Sequence, residues 1–368
     1  MSPQPLRRRI GQLLIGSFTG SDVPVEVRAL AREFDFGGIT LFGRLGNIET
    51  PEQVAGLAFD VRGLGREMPA WVGIDQEGGR VARLRAPFTE WPPMAVLGRS
   101  GDEALARKFA AAMAAEMTAV GISLDYAPVL DIHTNPKNPV IGDRALGETP
   151  EVVGKLGRVI IEELQRAGVA ACGKHFPGHG DTATDSHFEL PIVEHPPDRL
   201  RAIEFAPFKT AIDANVAFIM TAHVLVTSVD DERPATLSAK IVQGMLREEL
   251  GFQGVIVSDD LEMKAISNAY SPGEAAVAAI AAGCDAVLMC GTGKTADIEV
   301  QAEALESLIH AVESERLPLK RVESALERNR QAKERFMREW RPPTAAQLKT
   351  VIGSEQHRLI SEQMGQFA

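Results

Sequence analysis

The feature that most constrains this chain is a repeat of eight short apolar runs, each followed by a longer stretch. The runs are Leu13–Phe18, Gly38–Phe42, Ala70–Asp75, Ile122–Asp131, Val169–His175, Ala217–His223, Gly254–Asp259 and Ala286–Cys290. Most are continuous rather than alternating, as strands buried on both faces of a parallel sheet read. Helical periodicity lies between them at Glu52–Glu67, Glu103–Val120, Glu151–Ala167, Arg199–Ala214, Ser238–Leu250 and Gly273–Ala282, and after them at Val300–Ser314 and Lys320–Arg338. Thr149-Pro150-Glu151 and Ser271-Pro272-Gly273-Glu274 read as N-caps with proline in the first turn. Gly121, Gly168, Gly251 and Gly283 each follow a helical stretch and precede a strand. This repeat, unbroken from Leu13 to Cys290, predicts an α/β fold of the (β/α)8 TIM barrel kind.

An open dinucleotide-binding sheet is disfavoured because no GxGxxG follows the first run. Gly291-Thr292-Gly293-Lys294 lacks the upstream glycine of a phosphate loop and reads as a glycine-rich barrel loop. The expected organisation is one catalytic barrel over residues 1–340. A weakly helical tail over 341–368, beginning at Arg341-Pro342-Pro343, packs on the barrel exterior or is partly mobile.

Thirty-nine basic against fifty acidic side chains give a net charge of −11, which argues against nucleic acid or an anionic membrane as partner. No run approaches the ~18 apolar residues of a membrane span. The opening MSPQPLRRRIGQLLIG is too interrupted for a signal peptide, so a cytoplasmic protein is expected. Cys172, Cys284 and Cys290 sit in apolar surroundings and read as buried free thiols. No cofactor and no obligate protein partner is expected.

The ionisable residues collect at the ends of the runs: Asp75, Asp131, Lys174-His175, His223 and Asp259-Asp260. In a β/α barrel the carboxyl ends of the strands open on one mouth, so these groups converge there as a candidate active site. The loop after the fifth run is the densest, with His175, His179, Asp181, Asp185 and His187. His175 and His179 have the HxxxH spacing of zinc helices. Pro177 and Gly178 between them oppose a helix, so no metal site is expected. His179 and Asp181 read as ties within the loop. Asp185, two residues before His187, can accept from one ring nitrogen and leave the other to shuttle a proton. Of Asp259 and Asp260, period-two alternation lets at most one face the mouth directly. A carboxylate held there near Lys174 would stay ionised and could attack an electrophilic carbon. Asp260 suits an N-cap better than Asp259, but the residues alone leave the choice open.

The stretch KHFPGHGDTATDSH at 174–187 resembles the signature of glycoside hydrolase family three, specifically its β-N-acetylglucosaminidases. GIDQEGGRVARL at 73–84, APVLDI at 127–132, NPVIGDRALG at 138–147, TAHV at 221–224, PATLS at 234–238 and GVIVSDDLEM at 254–263 follow in the family's order. The resemblance implies an exo-acting retaining hydrolase on a (β/α)8 barrel. Its nucleophile is the acid directly after the serine of VSDD, Asp259, and its acid/base is the His187–Asp185 pair. Asp75, Arg83, Arg144, Lys174 and His175 would hold the sugar. Family members acting on plain glucosides commonly carry a second domain with a glutamate acid/base, for which this chain has little room after the barrel. The resemblance therefore favours GlcNAc as glycon, cleaved from cytosolic muropeptides (GlcNAc-1,6-anhydroMurNAc-peptides) in cell-wall recycling. A glucose or xylose glycon, or a non-catalytic sugar-binding barrel, remains the alternative. GITLFGRLGN at 38–47 departs from the family at Gly46, a departure expected to leave the chemistry untouched.

Overall fold

Each of the eight apolar runs supplies one parallel strand in the computed structural model, which describes residues 6–186 and 188–368. The strands are β1 (Leu14–Gly16), β2 (Gly38–Thr40), β3 (Trp71–Ile74), β4 (Leu124–Asp125), β5 (Ala170–Phe176), β6 (Phe218–Thr221), β7 (Val255–Asp260) and β8 (Ala286–Met289). Each pairs with its neighbours in sequence, and β1 also pairs with β8 with Leu14 opposite Val287, so the sheet closes on itself. The sheet is thus the expected TIM barrel, with helices around it.

Alternation along the strands sorts side chains into two cores. Ile39, Val72, Ile219, Ile256 and Val287 pack outward under the helices. Ile15, Trp71, Leu124, Phe218, Val257 and Leu288 fill the interior. The Trp71 and Phe218 rings meet edge-on at 5.3 Å although β4 and β5 separate their strands in the sheet, so the interior is packed rather than open. Phe336, near the end of the helix Leu319–Phe336, joins that interior cluster. On the same helix the Lys333 ammonium donates to Gln12 Oε1 (2.7 Å), just before β1, so this helix covers the amino-terminal end of the barrel.

The helices differ from the periodicity in instructive places. The stretch Arg199–Ala214 forms two helices, Pro197–Ala202 and Phe205–Asp213. Pro207 has no N–H to give a preceding turn and is accommodated only in the first turn of a helix, so the chain restarts before it. Lys240–Glu249 is wound with wider i→i−5 hydrogen bonds, as from Leu250 N to Met245 O (2.9 Å), which a 3.6-residue period does not foretell. In the fourth run the ladder ends at Asp125, because Pro128 lacks a donor; only Val129 pairs again, opposite Lys174.

Helices at Leu6–Gly11, Val25–Phe34 and Met94–Ser100 lie outside the periodic stretches. After Thr344 the chain forms the helices Ala345–Val351 and Glu355–Gly365, which bury Leu348, Ile360 and Met364. They are fastened at buried Glu116 of the helix Glu103–Ala119. Its Oε1 accepts from Gly353 N and pairs with His357 Nδ1, both at 2.9 Å. Among the described residues no helix is long and apolar enough to cross a membrane.

Candidate active site

The carboxyl ends of the strands surround a cavity of about 280 Å3. Asp75, Arg83, Arg144, Lys174, His175, Asp185 and Asp259 all line it, brought together from β3, β5, β7 and the loops that follow β3, β4 and β5. His187 lies outside the described residues.

A chain of ion pairs stiffens one wall. Lys174, buried in the cavity floor, donates to Asp75 Oδ1 (3.0 Å) and contacts Glu77 Oε1 (2.6 Å). Arg83 Nη2 donates to Asp75 Oδ2 (3.1 Å), and Arg144 grips Glu77 through Nε (2.9 Å) and Nη2 (2.8 Å). Burial pushes both carboxyls upward, but their cationic partners outweigh it. Lys174 and Arg83 hold Asp75 well below the usual carboxylate range, and Arg144 and Lys174 hold Glu77 down to about 2. Burial likewise opposes the charge on Lys174, yet Glu77 and Asp75 raise it well above an ordinary lysine. The wall is therefore a fixed set of charges at neutral pH.

Inspection of strand ends alone misses Glu77, because it sits on the hairpin Gln76–Gly78/Val81–Ala82 beyond β3. The signal lies in its spacing, two residues after Asp75, where extended backbone returns a side chain to the same face.

His175, on β5, and His179, in the loop that follows, are engaged within the protein. His175 Nδ1 donates to Asp131 Oδ2 (2.6 Å), and the His179 backbone N–H donates to Asp131 Oδ1 (2.6 Å). His179 Nδ1 meets Thr182 Oγ1 at 2.7 Å and Nε2 meets Ser186 Oγ at 3.2 Å. Burial lowers His179 to about 4 against the pull of Asp131, so this ring is neutral and ties the loop. Asp181 ties it too, accepting from Thr134 Oγ1 (2.8 Å) and pairing closely with His195. Among the described residues no three His, Cys, Asp or Glu side chains gather where a metal ion could be held. Asp131 does not line the cavity; it acts from behind, through His175 and His179. His223 is also set back, with Nε2 donating to the Asp260 carbonyl (2.9 Å).

Neighbouring residues at two strand ends reach the same cavity. Asp259 and Asp260 both line the cavity, and so do Lys174 and His175. The register of β7 on β8 shifts between Val257 and Asp260, and that of β5 on β6 between Gly173 and Phe176. Such irregularities re-aim chain segments beside active sites, so two neighbours can both border the cavity, although the Asp260 carboxylate is turned to the main chain. The loop after β2 also reaches the cavity: Phe42 and Arg44 line it, the guanidinium 4.3 Å from the ring centroid. The departure at Gly46, in left-handed backbone with φ 77°, therefore belongs to a loop that shapes the pocket.

The glycosyl hydrolase family 3 N terminal domain matches residues 5–331. The chain belongs to glycosyl hydrolase family 3. The β-hexosaminidase A of Pseudoalteromonas piscicida is 34% identical over 367 residues, covering 93% of this chain and 60% of its own length. This chain thus spans less than two thirds of that relative. A family 3 β-N-acetylglucosaminidase from Paenibacillus sp. FPU-7 superposes with a TM-score of 0.92 at 39% identity, covering 99% of this chain and 69% of its own. NagZ from Neisseria gonorrhoeae, solved in complex with N-trifluoroacetyl-D-glucosamine, gives a TM-score of 0.79 at 29% identity, with 97% and 98% covered.

Proposed function

We propose that this family 3 chain is an exo-acting retaining β-N-acetylglucosaminidase, with residues 1–340 as its catalytic unit. It removes terminal non-reducing GlcNAc through a covalent glycosyl-Asp259 intermediate, with His187 and Asp185 as the acid/base pair. The observation that carries the reading is the shared cavity, in which Asp259 and Asp185 face the rigid Asp75–Lys174–Arg144 wall.

Asp75, Arg83, Arg144, Lys174 and His175 hold the sugar. Because their charges are already matched to one another, little reorganisation is needed when it binds. His187, as imidazolium, gives its proton to the glycosidic oxygen as the Asp259 carboxylate attacks the anomeric carbon and the aglycon leaves. The neutral imidazole then takes a proton from water, whose oxygen attacks the same carbon. The Asp259–carbon bond breaks, and the sugar departs with its configuration retained.

The N-acetylated glycon is supported by the glucosamine derivative bound in the gonococcal protein. The physiological aglycon in this reading is the 1,6-anhydro-muramoyl peptide of a cytoplasmic cell-wall recycling route. It rests on the resemblance of the 174–187 loop.

The test is hydrolysis of 4-nitrophenyl β-N-acetylglucosaminide in EDTA. The wild type is expected to turn over, and Asp259→Ala to lose roughly four orders of magnitude in kcat. A folded wild type that cleaves other nitrophenyl glycosides but not this one overturns the glycon. An Asp259→Ala variant with near-normal kcat overturns the nucleophile.

A further inference from the structure

The two acids at the end of β7 are held quite differently. The Asp259 carboxylate receives the backbone N–H of Asp260 at Oδ1 (2.8 Å). The Asp260 carboxylate turns instead to the main chain around it. Its Oδ1 accepts from Cys290 N (3.1 Å), just past β8, and from Glu262 N (3.2 Å) in the turn that follows β7. The Asp260 carbonyl accepts from Met263 N (3.0 Å) and from His223 Nε2 (2.9 Å). His223 Nδ1 in turn meets Thr236 Oγ1 at 2.8 Å. Glu262 completes the frame by accepting from Gly291 N (2.8 Å).

These bonds stand where the β7–β8 register slips, between Val257 and Asp260. A segment that has left the regular ladder needs other partners to fix its direction. Here the Asp260 side chain supplies them from one side and His223 from the other.

From this geometry we propose that Asp260 is a positioning residue, whose side chain fixes the peptide that aims the Asp259 carboxylate. The inference rests on the reading of Asp259 as the nucleophile. A carboxylate that attacks carbon must approach along a narrow line, and a shift of about 1 Å is worth on the order of 100-fold in rate. The N–H of Asp260 restrains Asp259, and that N–H is only as fixed as the Asp260 backbone.

Asp260→Asn keeps an acceptor oxygen for the Cys290 and Glu262 N–H groups, whereas Asp260→Ala removes it. With 4-nitrophenyl β-N-acetylglucosaminide, the asparagine variant is expected to stay within about fivefold of wild-type kcat. The alanine variant is expected to lose on the order of 100-fold in kcat with KM within about threefold. A merely structural role would raise KM along with lowering kcat, or would not be rescued by asparagine. Equal loss in both variants, or a loss confined to KM, overturns the proposal.

Crystal structures of both variants decide the matter independently of the glycon. The Asp259 carboxylate should move by about 1 Å in the alanine variant and hold its place in the asparagine variant. An unmoved Asp259 in Asp260→Ala overturns the proposal, even if the enzyme proves to prefer another sugar.

Discussion

Glu77 is 2% exposed, and its carboxylate is met by the guanidinium of Arg144 and the ammonium of Lys174. Replacing it with glutamine leaves two buried cations short of a countercharge, a change that costs about 3–5 kcal/mol in such settings. Glu77→Gln is therefore expected to lower Tm and to raise KM, read by thermal unfolding and steady-state kinetics. The pH dependence has a definite sign. The folded-state value of Glu77 is depressed from 4.5 to about 2, so its stabilisation is full above about 4.5 and is lost as pH falls toward 2. The stability gap between wild type and Glu77→Gln should shrink over that window in urea titrations.

Asp260 behaves oppositely. Burial first, and then the charge of Glu262, raise it from 3.8 to about 7. Between about 4 and 7 the native state keeps a proton that the unfolded chain has released, so this group lowers stability as pH rises through that window. Asp260→Asn should flatten that slope. A variant whose stability profile over that range parallels the wild type would contradict it.

Among the elements, glycines show how closely the loops pack. A Cβ on Gly180 would stand 1.8 Å from the Ile132 carbonyl oxygen, a backbone atom unable to step aside. Gly180→Ala should push the loop bearing Asp185 off its seat and lower kcat at least tenfold. Gly56 is the counter-case: an exposed position inside the helix Pro51–Arg62, where an added Cβ would find nothing within 4 Å. Gly56→Ala should stabilise by about 0.5–1 kcal/mol, read as a small rise in Tm.

How an element packs also decides how legible it is in the sequence. Strands buried on both faces leave continuous apolar runs, so all eight are visible. Helices ending in Gly168, Gly251 or Gly283 are visible too. Val25–Phe34 is not, because it starts after Pro24 with no capping side chain and ends on Asp35, left-handed at φ 57° where glycine is the usual signal. At the site, charges at strand ends point to Asp75, Lys174, His175 and the Asp259–Asp260 pair, which line the cavity, and also to Asp131 and His223, which stand behind it. Glu77 escapes a reading of strand ends because it lies past β3 on the hairpin Gln76–Gly78/Val81–Ala82, and Arg44 because it sits in the turn after β2, where periodicity says nothing about which way a side chain turns.

Across the whole molecule, the carboxylate of Glu116 is the buried tie that fastens the two last helices to the barrel, beside the more exposed bonds from Ser361 Oγ to the Glu90 carbonyl and from Arg99 Nε to the Phe367 carbonyl (both 2.7 Å). Glu116 accepts from Thr89 N and Oγ1 (2.9 and 2.6 Å) as well as serving Gly353 and His357. Glu116→Ala strands these buried donors at about 1–3 kcal/mol apiece. Limited proteolysis should then cut after Pro343 faster than in the wild type, with a lower Tm; unchanged cleavage would show that the segment is held without Glu116.

The seam between β1 and β8 also sets an order of events during synthesis. Leu14 must wait for Val287 before the barrel can close. At about 5–20 residues per second, a ribosome takes on the order of 15–55 s to span that gap. The Cys290 N–H that anchors Asp260 arrives at the same moment. Under the proposed function, a nascent chain therefore carries the charged wall of β3 and β5 well before it carries an aimed Asp259, and it acquires catalytic competence only as its last barrel strand docks.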